Sequence, residues 1–307
     1  MNQHTKSPAV IVIAGPTAVG KTAVALELAR RLPAEIISAD SRQIYRHMDI
    51  GTAKPTLEER QQTPHHFIDI CDPDEDFTSG RFGREARKVV HEILQRDKTP
   101  IVVGGSGFYL RALLEGFSED LPSDRRVRQE LKRRLLEEGS AALHAELASV
   151  DPESARRLHP NDGQRIVRAL EVHIITGETL TELHRHAAIP AKFAYKIFCL
   201  TRNRQTLYER INQRVNEMLR MGLVEECRHL LELSFSPELN ALQTVGYKEV
   251  FEFLAGKIDE EQMKELIQRH SRQYAKRQLT WFRKLQGCVW LNLDEMSIDE
   301  IIQTVLA

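Results

Sequence analysis

The chain has 307 residues, of which 41% are hydrophobic and 28% are charged, a composition typical of a soluble globular protein and not of a disordered one. Lys and Arg total 43 against 44 Asp and Glu, so any nucleic-acid partner must be held by local patches and not by the overall charge. The length favours one main domain with an insertion.

The first predicted element is a strand at 9–14, which leads into the sequence GPTAVGKT. This sequence fits G-x-x-x-x-G-K-[ST], a loop whose backbone N–H groups approach phosphate oxygens at the positive end of a helix, here predicted at 20–32. Lys21 supplies a charge and Thr22 a magnesium ligand. The motif predicts a site for linked phosphates and leaves open whether they belong to ATP, GTP or another molecule. Its residues are Gly15, Pro16, Thr17, Ala18, Val19, Gly20, Lys21 and Thr22.

The second predicted strand, at 34–40, ends on Asp40 and brings its carboxylate toward the phosphate loop. Asp40 has two possible chemical roles, to organise magnesium in an NTPase or to act as a general base on a bound nucleophile. A loop Asp that caps the next turn is the structural alternative. Ser41, Gln43 and Tyr45 follow, and this set suits a flat, hydrogen-bonding heterocycle better than magnesium alone.

The third predicted strand lies within 99–110 and runs into the glycine-rich turn GGSGFY. Glycines permit close approach of the backbone to a ligand, and Ser106 supplies a hydrogen-bonding hydroxyl. A flexible connection is the alternative. Because the carboxyl ends of parallel strands meet at one edge of a sheet, we expect this turn to lie near Asp40.

From residue 121 to 186 the pattern changes to short helices, with Ser123 and Asp151 as predicted N-caps and with Gly139 and Gly177 as predicted helix ends. Further strands are predicted at 193–201 and 288–293. The predicted organisation is therefore an α/β core at 1–120, a helical insertion at 121–192 and the rest of the core at 193–307.

Three basic stretches lie at 124–134, 163–170 and 269–284. A solvent-exposed helix face would explain one such run. Three runs in a nearly neutral chain favour a surface that binds the phosphate backbone of a nucleic acid. In the last stretch the aromatic side chains of Tyr274, Trp281 and Phe282 are expected to pack in the core.

A predicted helix at 206–219 places Arg210 and Arg214 on a face different from its apolar one. Surface arginines are one explanation of the pair. The other is that one of them binds a diphosphate, for which the guanidinium group is well shaped.

The four cysteines, Cys71, Cys199, Cys227 and Cys288, show no C-x-x-C pair and no zinc spacing, so we expect buried or unreactive thiols in a reducing cytoplasm. The N-terminal residues lead directly into the phosphate loop and do not resemble a cleaved signal. No apolar stretch approaches the roughly 18 residues of a membrane span. We expect a cytoplasmic monomer without membrane contact.

Seven motifs in a fixed order resemble the tRNA dimethylallyltransferases, also called tRNA isopentenyltransferases. They are GPTAVGKT, ISADSRQIYRHMDIGTAKP, GGSGFYLRALL, DGQRIVRALEV, RINQRV, VGYKEV and RQYAKRQLTWFR. The resemblance implies a P-loop nucleotide-kinase-like parallel sheet flanked by helices, with an all-helical insertion that contacts tRNA. It also implies transfer of a dimethylallyl group from dimethylallyl diphosphate to N6 of adenosine 37 in the anticodon loop, with release of diphosphate. The phosphate loop then binds the prenyl diphosphate and not ATP.

For this reaction Asp40 is the expected base, Thr17 and Arg214 are expected to stabilise the leaving diphosphate, and Mg²⁺ is the expected cofactor, near Thr22. The family pattern has Thr and Leu where this chain has Ser106 and Phe108, so a hydroxyl is kept. The expected tRNA-binding residues are Asp40, Ser41, Arg42, Gln43, Ser106, Arg128, Gln164, Arg165, Ile166, Val167, Arg168, Gln243, Thr244, Val245, Gly246, Tyr247 and Lys248.

Three other functions compete with this one. A small-molecule kinase or ATPase would use the same loop and assign Asp40 to magnesium, but it leaves the C-terminal basic helix unexplained. An adenylate isopentenyltransferase would use a free nucleotide and needs no tRNA-sized basic surface. A nucleic-acid-binding module without catalysis would leave the Asp40 cluster without a role.

Overall fold

The structure, a computed structural model, describes residues 10–116, 123–186 and 189–307, with the side chains of 184–186 excepted. Its strands form one six-stranded parallel sheet in the order β3-β2-β4-β1-β5-β6. The parallel α/β sheet predicted from the sequence is confirmed. The strands are β1 (Val10–Ala14), β2 (Ala34–Ser38), β3 (His65–His66), β4 (Thr99–Gly104), β5 (Tyr195–Thr201) and β6 (Cys288–Asn292).

Fourteen helices surround the sheet or form the insertion within the described residues. None of these helices is long and apolar enough to cross a membrane. They are α1 (Lys21–Arg31), α2 (Leu57–Gln62), α3 (Ser79–Gln95), α4 (Gly107–Leu114), α5 (Arg125–Glu137), α6 (Ser140–Val150), α7 (Pro152–Arg157), α8 (Gly163–Thr176), α9 (Leu180–His186), α10 (Arg204–Arg220), α11 (Leu223–Glu232), α12 (Tyr247–Leu254), α13 (Glu260–Phe282) and α14 (Ile298–Leu306).

The register of the central strands aligns the three loops that matter for function. Ala14 at the end of β1 is paired with Gly104 at the end of β4, and Ser38 at the end of β2 is paired with Val103. The strands β1 and β2 are buried along their whole length, as expected where helices cover both faces of a parallel sheet. The loops after β1, β2 and β4 therefore meet at one edge of the sheet, where open α/β proteins bind ligands.

The chain divides into two compact units. One contains Met1–Phe77, Glu85–Leu110 and Lys192–Ala307, and the other contains Thr78–Arg84 and Arg111–Ala191. The second unit is helical, and its own core is formed by apolar residues of α5 to α8, among them Leu131, Leu147 and Leu170. The predicted start of the insertion at 121 lies outside the described residues.

The helix ends of the second unit correct one predicted cap. Asp124, and not Ser123, caps α5, because its carboxylate accepts hydrogen bonds from the backbone N–H groups of Arg126 and Val127. Asp151 caps α7 as predicted, and Gly177 ends α8 with a φ of 75°. Gly139, the other predicted end, directly follows the C-cap residue of α5.

The expectation of four free thiols is wrong for one pair. Cys199 in β5 and Cys288 in β6 form a disulfide, with their Cα atoms 6.1 Å apart. The two strands are parallel neighbours, so residues separated by 89 positions in the sequence are adjacent in space. Cys71 and Cys227 are free and buried, as expected.

Candidate active site

A cavity of about 520 Å³ opens at the sheet edge where the loops after β1, β2 and β4 meet. Its size suits a small molecule or a single nucleotide with a short prenyl group. The lining includes Thr17, Ala18, Lys21 and Thr22 of the phosphate loop, Asp40–Gln43, Gly51–Pro55, Ile211, Arg214, Val215 and Met218 of α10, Thr244–Gly246, and Ile267, Ser271, Tyr274 and Gln278 of α13.

The phosphate loop has the backbone that its glycines predict. Gly15 and Gly20 have φ values of 147° and 115°, and a Cβ atom at Gly15 would lie 2.7 Å from the carbonyl oxygen of Leu200. The helix α1 begins at Lys21, so its N-terminal N–H groups and positive dipole end face the loop. The predicted sequence of strand, loop and helix is confirmed, and it builds a concave site for an anion.

The Lys21 ammonium lies inside this loop, where its Nζ donates to the carbonyl oxygen of Pro16 at 2.8 Å. Burial lowers its pKa to about 8, since the favourable charge of Asp40 only partly offsets the loss of solvent and Arg214 adds repulsion. Two cations close to one carboxylate make this end of the cavity electropositive, which favours a multiply charged anion.

Of the candidate pair Arg210 and Arg214 on α10, Arg214 is the one that lines the main cavity. Burial lowers the pKa of Arg214, and Asp40 opposes that shift. Arg210 is exposed, and its Nε donates to the carbonyl oxygen of Ala18 at 3.0 Å. A smaller cavity of about 270 Å³, next to Lys21 and Thr22, is lined by both arginines.

Asp40 lies two residues beyond β2, so the strand predicted at 34–40 ends earlier, and the structure shows the turn-capping alternative that the sequence left open. Its Oδ1 accepts a hydrogen bond from the backbone N–H of Arg42 at 2.9 Å, so it caps the turn that follows. The same side chain lines the cavity together with Lys21 and Arg214, and it interacts electrostatically with both. The carboxylate is therefore held by the turn and available to a ligand.

The glycine-rich turn after β4 lies beside Asp40, which confirms the predicted proximity. The backbone N–H of Ser41 donates to Ser106 Oγ at 2.9 Å, and Ser106 Oγ donates to Ser41 Oγ at 3.2 Å. Ser106 is buried, so it fixes the segment after Asp40 and presents little surface to a macromolecule. The strand β4 ends at Gly104 and a helix begins at Gly107, so the strand lies within 99–110 and runs into the glycine-rich turn, as predicted.

The side chain of Gln43 is occupied within the protein. Ser38 Oγ donates to its Oε1 at 2.9 Å, and its Nε2 donates to the carbonyl oxygens of Thr52 and Ala53 at 3.3 and 3.1 Å. Both amide hydrogens are thereby used. Gln43 fixes the neighbouring loop in this conformation and also lines the cavity, so its contact with tRNA stays a prediction.

Gln278 in α13 is a site residue that the sequence reasoning missed. Its Oε1 accepts from the backbone N–H of Thr17 at 2.9 Å, and its Nε2 donates to the carbonyl oxygen of Gly105 at 2.9 Å. A Cβ atom at Gly105 would lie 2.4 Å from this Nε2, which explains the glycine. The buried amide joins the phosphate loop to the turn that carries Ser106. The one sequence feature that could have indicated its role is an uncharged Gln within the basic stretch at 269–284.

The aromatic residues of α13 do not all pack in the core. Phe282 is fully buried. The ring of Trp281 packs against Gly107, where a Cβ atom would lie only 2.4 Å from the ring. Tyr274 is 37% exposed, and it lines the cavity. Desolvation within this concave site, together with Asp40, raises the pKa of Tyr274 to about 12, so its hydroxyl is neutral. The expectation that Tyr274 packs in the core was therefore wrong.

Of the residues expected to bind tRNA at 243–248, Thr244, Val245 and Gly246 line the cavity. Gln243 is exposed, and Lys248 forms an ion pair with Glu249 at 3.4 Å. Tyr247 is fully buried and donates its hydroxyl to Glu226, so its side chain cannot contact RNA in this conformation.

The expected tRNA-binding residues of α8 divide between surface and core. Gln164 and Arg165 are exposed. Ile166 and Val167 are buried in the core of the helical unit, because they lie on the inward face of α8, so the structure excludes direct side-chain contacts for this pair.

Two further expected contacts, Arg128 and Arg168, share the buried carboxylate of Glu171. Arg128 Nη2 lies 3.1 Å and Arg168 Nη1 lies 2.8 Å from Glu171 Oε2. Both arginine side chains remain partly exposed, so each keeps some guanidinium surface for an anion while the carboxylate limits its freedom.

The donors near the phosphate loop fit a magnesium ion that is held jointly with a diphosphate. Thr22 is exposed in the first turn of α1, and Asp40 lines the same cavity. The described residues contain no group of three or more His, Cys, Asp or Glu side chains that could hold a metal by themselves. Mg²⁺ usually takes one or two protein oxygens and completes its shell with phosphate and water.

Comparison with known proteins gives a consistent result. A family model described as IPP transferase matches residues 43–285. The tRNA dimethylallyltransferase of Thermotoga neapolitana is 47% identical over 96% of this chain and 95% of its own, and that of Geobacter sulfurreducens is 46% identical over 96% and 97%.

Solved structures agree with these sequence matches. A full-length tRNA isopentenylpyrophosphate transferase from Bacillus halodurans superposes with a TM-score of 0.72 at 39% identity, covering 97% of this chain and 94% of that one. A eukaryotic dimethylallyltransferase captured acting on tRNA superposes with a TM-score of 0.83 at 33% identity, covering 98% and 78% of the two chains.

Proposed function

The chain belongs to the IPP transferase family, the tRNA dimethylallyltransferases, and we propose that its cavity joins a dimethylallyl group to N6 of adenosine 37 in the tRNA anticodon loop. The donor is dimethylallyl diphosphate, and the products are N6-(dimethylallyl)adenosine and diphosphate. The observation that carries this proposal is that one cavity contains both an anion-binding loop and the Asp40 carboxylate.

The donor end binds the diphosphate through the N-terminus of α1 together with Lys21 and Arg214. These groups stabilise the charge that develops on the departing diphosphate, so they act more strongly in the transition state than in the ground state. A magnesium ion beside Thr22 would supply additional charge neutralisation there. The Thr17 hydroxyl is a further donor candidate at this end.

Part of the cavity lining is apolar and suits a short hydrocarbon. Ile211 and Val215 of α10 and Ile267 of α13 line it, and all three are buried. Contact of the prenyl group with these side chains removes apolar surface from water and orients the allylic carbon toward the acceptor.

The acceptor end must receive an adenine turned out of its loop, which single-stranded RNA permits at modest cost. As the N6 nitrogen forms its bond to the allylic carbon, the carbon–oxygen bond to diphosphate breaks and its electron pair leaves with the diphosphate. The proton of N6 passes to Asp40, because an exocyclic amine is a poor nucleophile while it keeps that proton. The exposed ring of Tyr274 offers a surface on which the base can stack.

A transfer assay with labelled dimethylallyl diphosphate and magnesium tests this function, with unmodified tRNA, AMP or no acceptor in parallel. Label in tRNA is expected. Label in AMP alone would assign the chain to free-nucleotide prenylation, and ATP turnover without any prenyl transfer would assign it to the P-loop kinases.

Asp40→Asn tests the base directly. The amide keeps the size of the side chain and can still accept from the Arg42 N–H, but it cannot take the proton. We expect transfer to fall by about 10²- to 10⁴-fold, while tRNA binding in a filter assay stays within about threefold. Full activity of this variant would remove Asp40 from the mechanism.

A further inference from the structure

One carboxylate that the reaction does not use holds three consecutive backbone N–H groups of the loop after Met48. Glu226 in the first turn of α11 accepts through Oε2 from Asp49 at 2.8 Å and Ile50 at 2.7 Å, and through Oε1 from Gly51 at 3.1 Å. Successive N–H groups that converge in this way form a nest for a negative charge. The bond set fixes the backbone of the loop at 49–51.

The same carboxylate also binds the neighbouring wall of the cavity. Tyr247 Oη donates to Glu226 Oε1 at 2.6 Å, and Tyr247 directly follows the cavity-lining segment 244–246. Tyr247 is fully buried, and a Cβ at Gly51 would lie 2.4 Å from its ring. Glu226 therefore joins two segments that line the cavity and sets the distance between them.

The loop held by Glu226 continues toward the acceptor end. Its next residues, Thr52 and Ala53, accept both amide hydrogens of Gln43, which lies three positions after Asp40. The phosphate loop is held from another side by Gln278. A shift of the loop at 49–53 would thus disturb the acceptor end and leave the diphosphate end in place.

We propose that Glu226 is a positioning residue for the acceptor nucleotide: it fixes the walls between which the adenosine enters, and it touches neither substrate. The inference rests on the proposed function. It predicts a defect in the use of tRNA that does not extend to the binding of the prenyl diphosphate.

The test is the steady-state kinetics of Glu226→Gln with tRNA and dimethylallyl diphosphate varied separately. An amide offers one oxygen and turns an NH₂ group toward two of the four donors, so two of the four hydrogen bonds are lost, at least one of them to the loop. We expect kcat/KM for tRNA to fall by about 10- to 100-fold, because small displacements of a reacting group are costly, while KM for the diphosphate changes less than about twofold.

Two further variants make the test specific. Tyr247→Phe keeps the ring and removes one hydrogen bond, so we expect a smaller loss, about 3- to 10-fold, in the same parameter. Glu225→Gln is the matched control, because Glu225 is the preceding residue, is 67% exposed and pairs only with Arg228 among the salt bridges of the described residues. Its kinetics should equal those of the unaltered protein.

The proposal is overturned if Glu226→Gln uses tRNA normally, or if both KM values change equally together with a lower Tm, which would indicate a merely structural role. If that variant does not fold, normal use of tRNA by Tyr247→Phe overturns it. Failure of the unaltered protein to prenylate tRNA would refute the proposed function itself, and so is distinguished from failure of this inference.

Discussion

The protonation of Lys21 should limit donor binding at alkaline pH. Burial lowers its pKa to about 8, so the ammonium is charged below that pH and loses its proton as the pH rises through it. We therefore expect kcat/KM for dimethylallyl diphosphate, which reports the free enzyme and free substrate, to fall about tenfold per unit as the pH rises above about 8.

The control for this profile is Lys21→Met, measured over the same range. It should be less active at every pH and should lack the alkaline limb, since the group that titrates has been removed. An alkaline limb that persists in Lys21→Met would assign the titration to another group. Tyr274 is not that group, because its pKa is raised to about 12.

Gln278 should control the donor end in the way that Glu226 controls the acceptor end. In Gln278→Glu the carboxylate still accepts from Thr17 N–H, but it replaces the donor to Gly105 with an oxygen that repels the carbonyl. We expect KM for the prenyl diphosphate to rise by about tenfold, because the phosphate loop shifts and a negative charge enters beside it. Isothermal titration with inorganic diphosphate measures the same loss without turnover, and unchanged affinity would contradict the role.

Individual site residues differ in how far the sequence could reveal them. Lys21 and Asp40 were found because a strand end and a phosphate motif fix the position of each in the fold. Gln278 was missed because a single buried amide has no motif, and its partners are 261 and 173 positions away in the chain. For Gln43 the sequence predicted a tRNA contact, which stays a prediction, but it did not show that the amide also bonds within the protein.

At the level of single elements, Glu35 anchors β2 to its neighbours. Burial alone would raise its pKa, but hydrogen bonds from His66, Arg96 and Lys98 outweigh that effect and lower the pKa to about 2. A depressed carboxyl pKa contributes stability that is complete above the unfolded value of 4.5 and is lost as the pH falls toward 2. The contribution is at most about 3 kcal/mol.

Glu35→Gln should therefore lower the free energy of unfolding at pH 7 by about 2 kcal/mol, and the difference should shrink steadily below about pH 4.5. Urea denaturation at a series of pH values measures it. Glu92→Gln in α3, an exposed position, should have no comparable effect. A difference between Glu35→Gln and the unaltered protein that does not depend on pH would show that packing, and not charge, holds β2.

The elements themselves were predicted where their sequence pattern is continuous. The strand β1 is an uninterrupted apolar run, and β2 has a buried apolar centre at Ile36 and Ile37, so both were found. The strand β3 is only His65–His66, too short and too polar to carry such a pattern. The disulfide between β5 and β6 was missed for a related reason, since it depends on the pairing of two strands and not on any local spacing.

Across the whole molecule, the basic stretches differ in how much free charge they present. In α5, Arg133 pairs with Glu130 and Glu137, and Arg134 pairs with Glu138 and Glu146. Much of the positive charge at 124–134 is thus neutralised within the helical unit. From the sequence alone, this run of basic residues favoured an RNA-binding surface. A nearly neutral protein must therefore bind tRNA through a small number of well-placed cations.

Arg165 is the clearest test of such a cation. Its side chain is 68% exposed, and its ion pair with Asp162 lies at the surface, so its removal should cost little stability. Arg168 is a poorer choice, because its loss would leave the buried carboxylate of Glu171 with one fewer partner.

Each phosphate contact releases a condensed counterion, so Arg165→Ala should weaken tRNA binding and reduce the slope of log K against log salt concentration by about 0.7 to 0.9. Filter binding at four or more salt concentrations measures this slope. Lys257→Ala, an exposed cation outside the basic stretches, is the control and should leave the slope unchanged. If Arg165→Ala weakens binding equally at every salt concentration, Arg165 does not contact a phosphate. The Arg165 side chain would then contribute to tRNA binding through uncharged contacts alone.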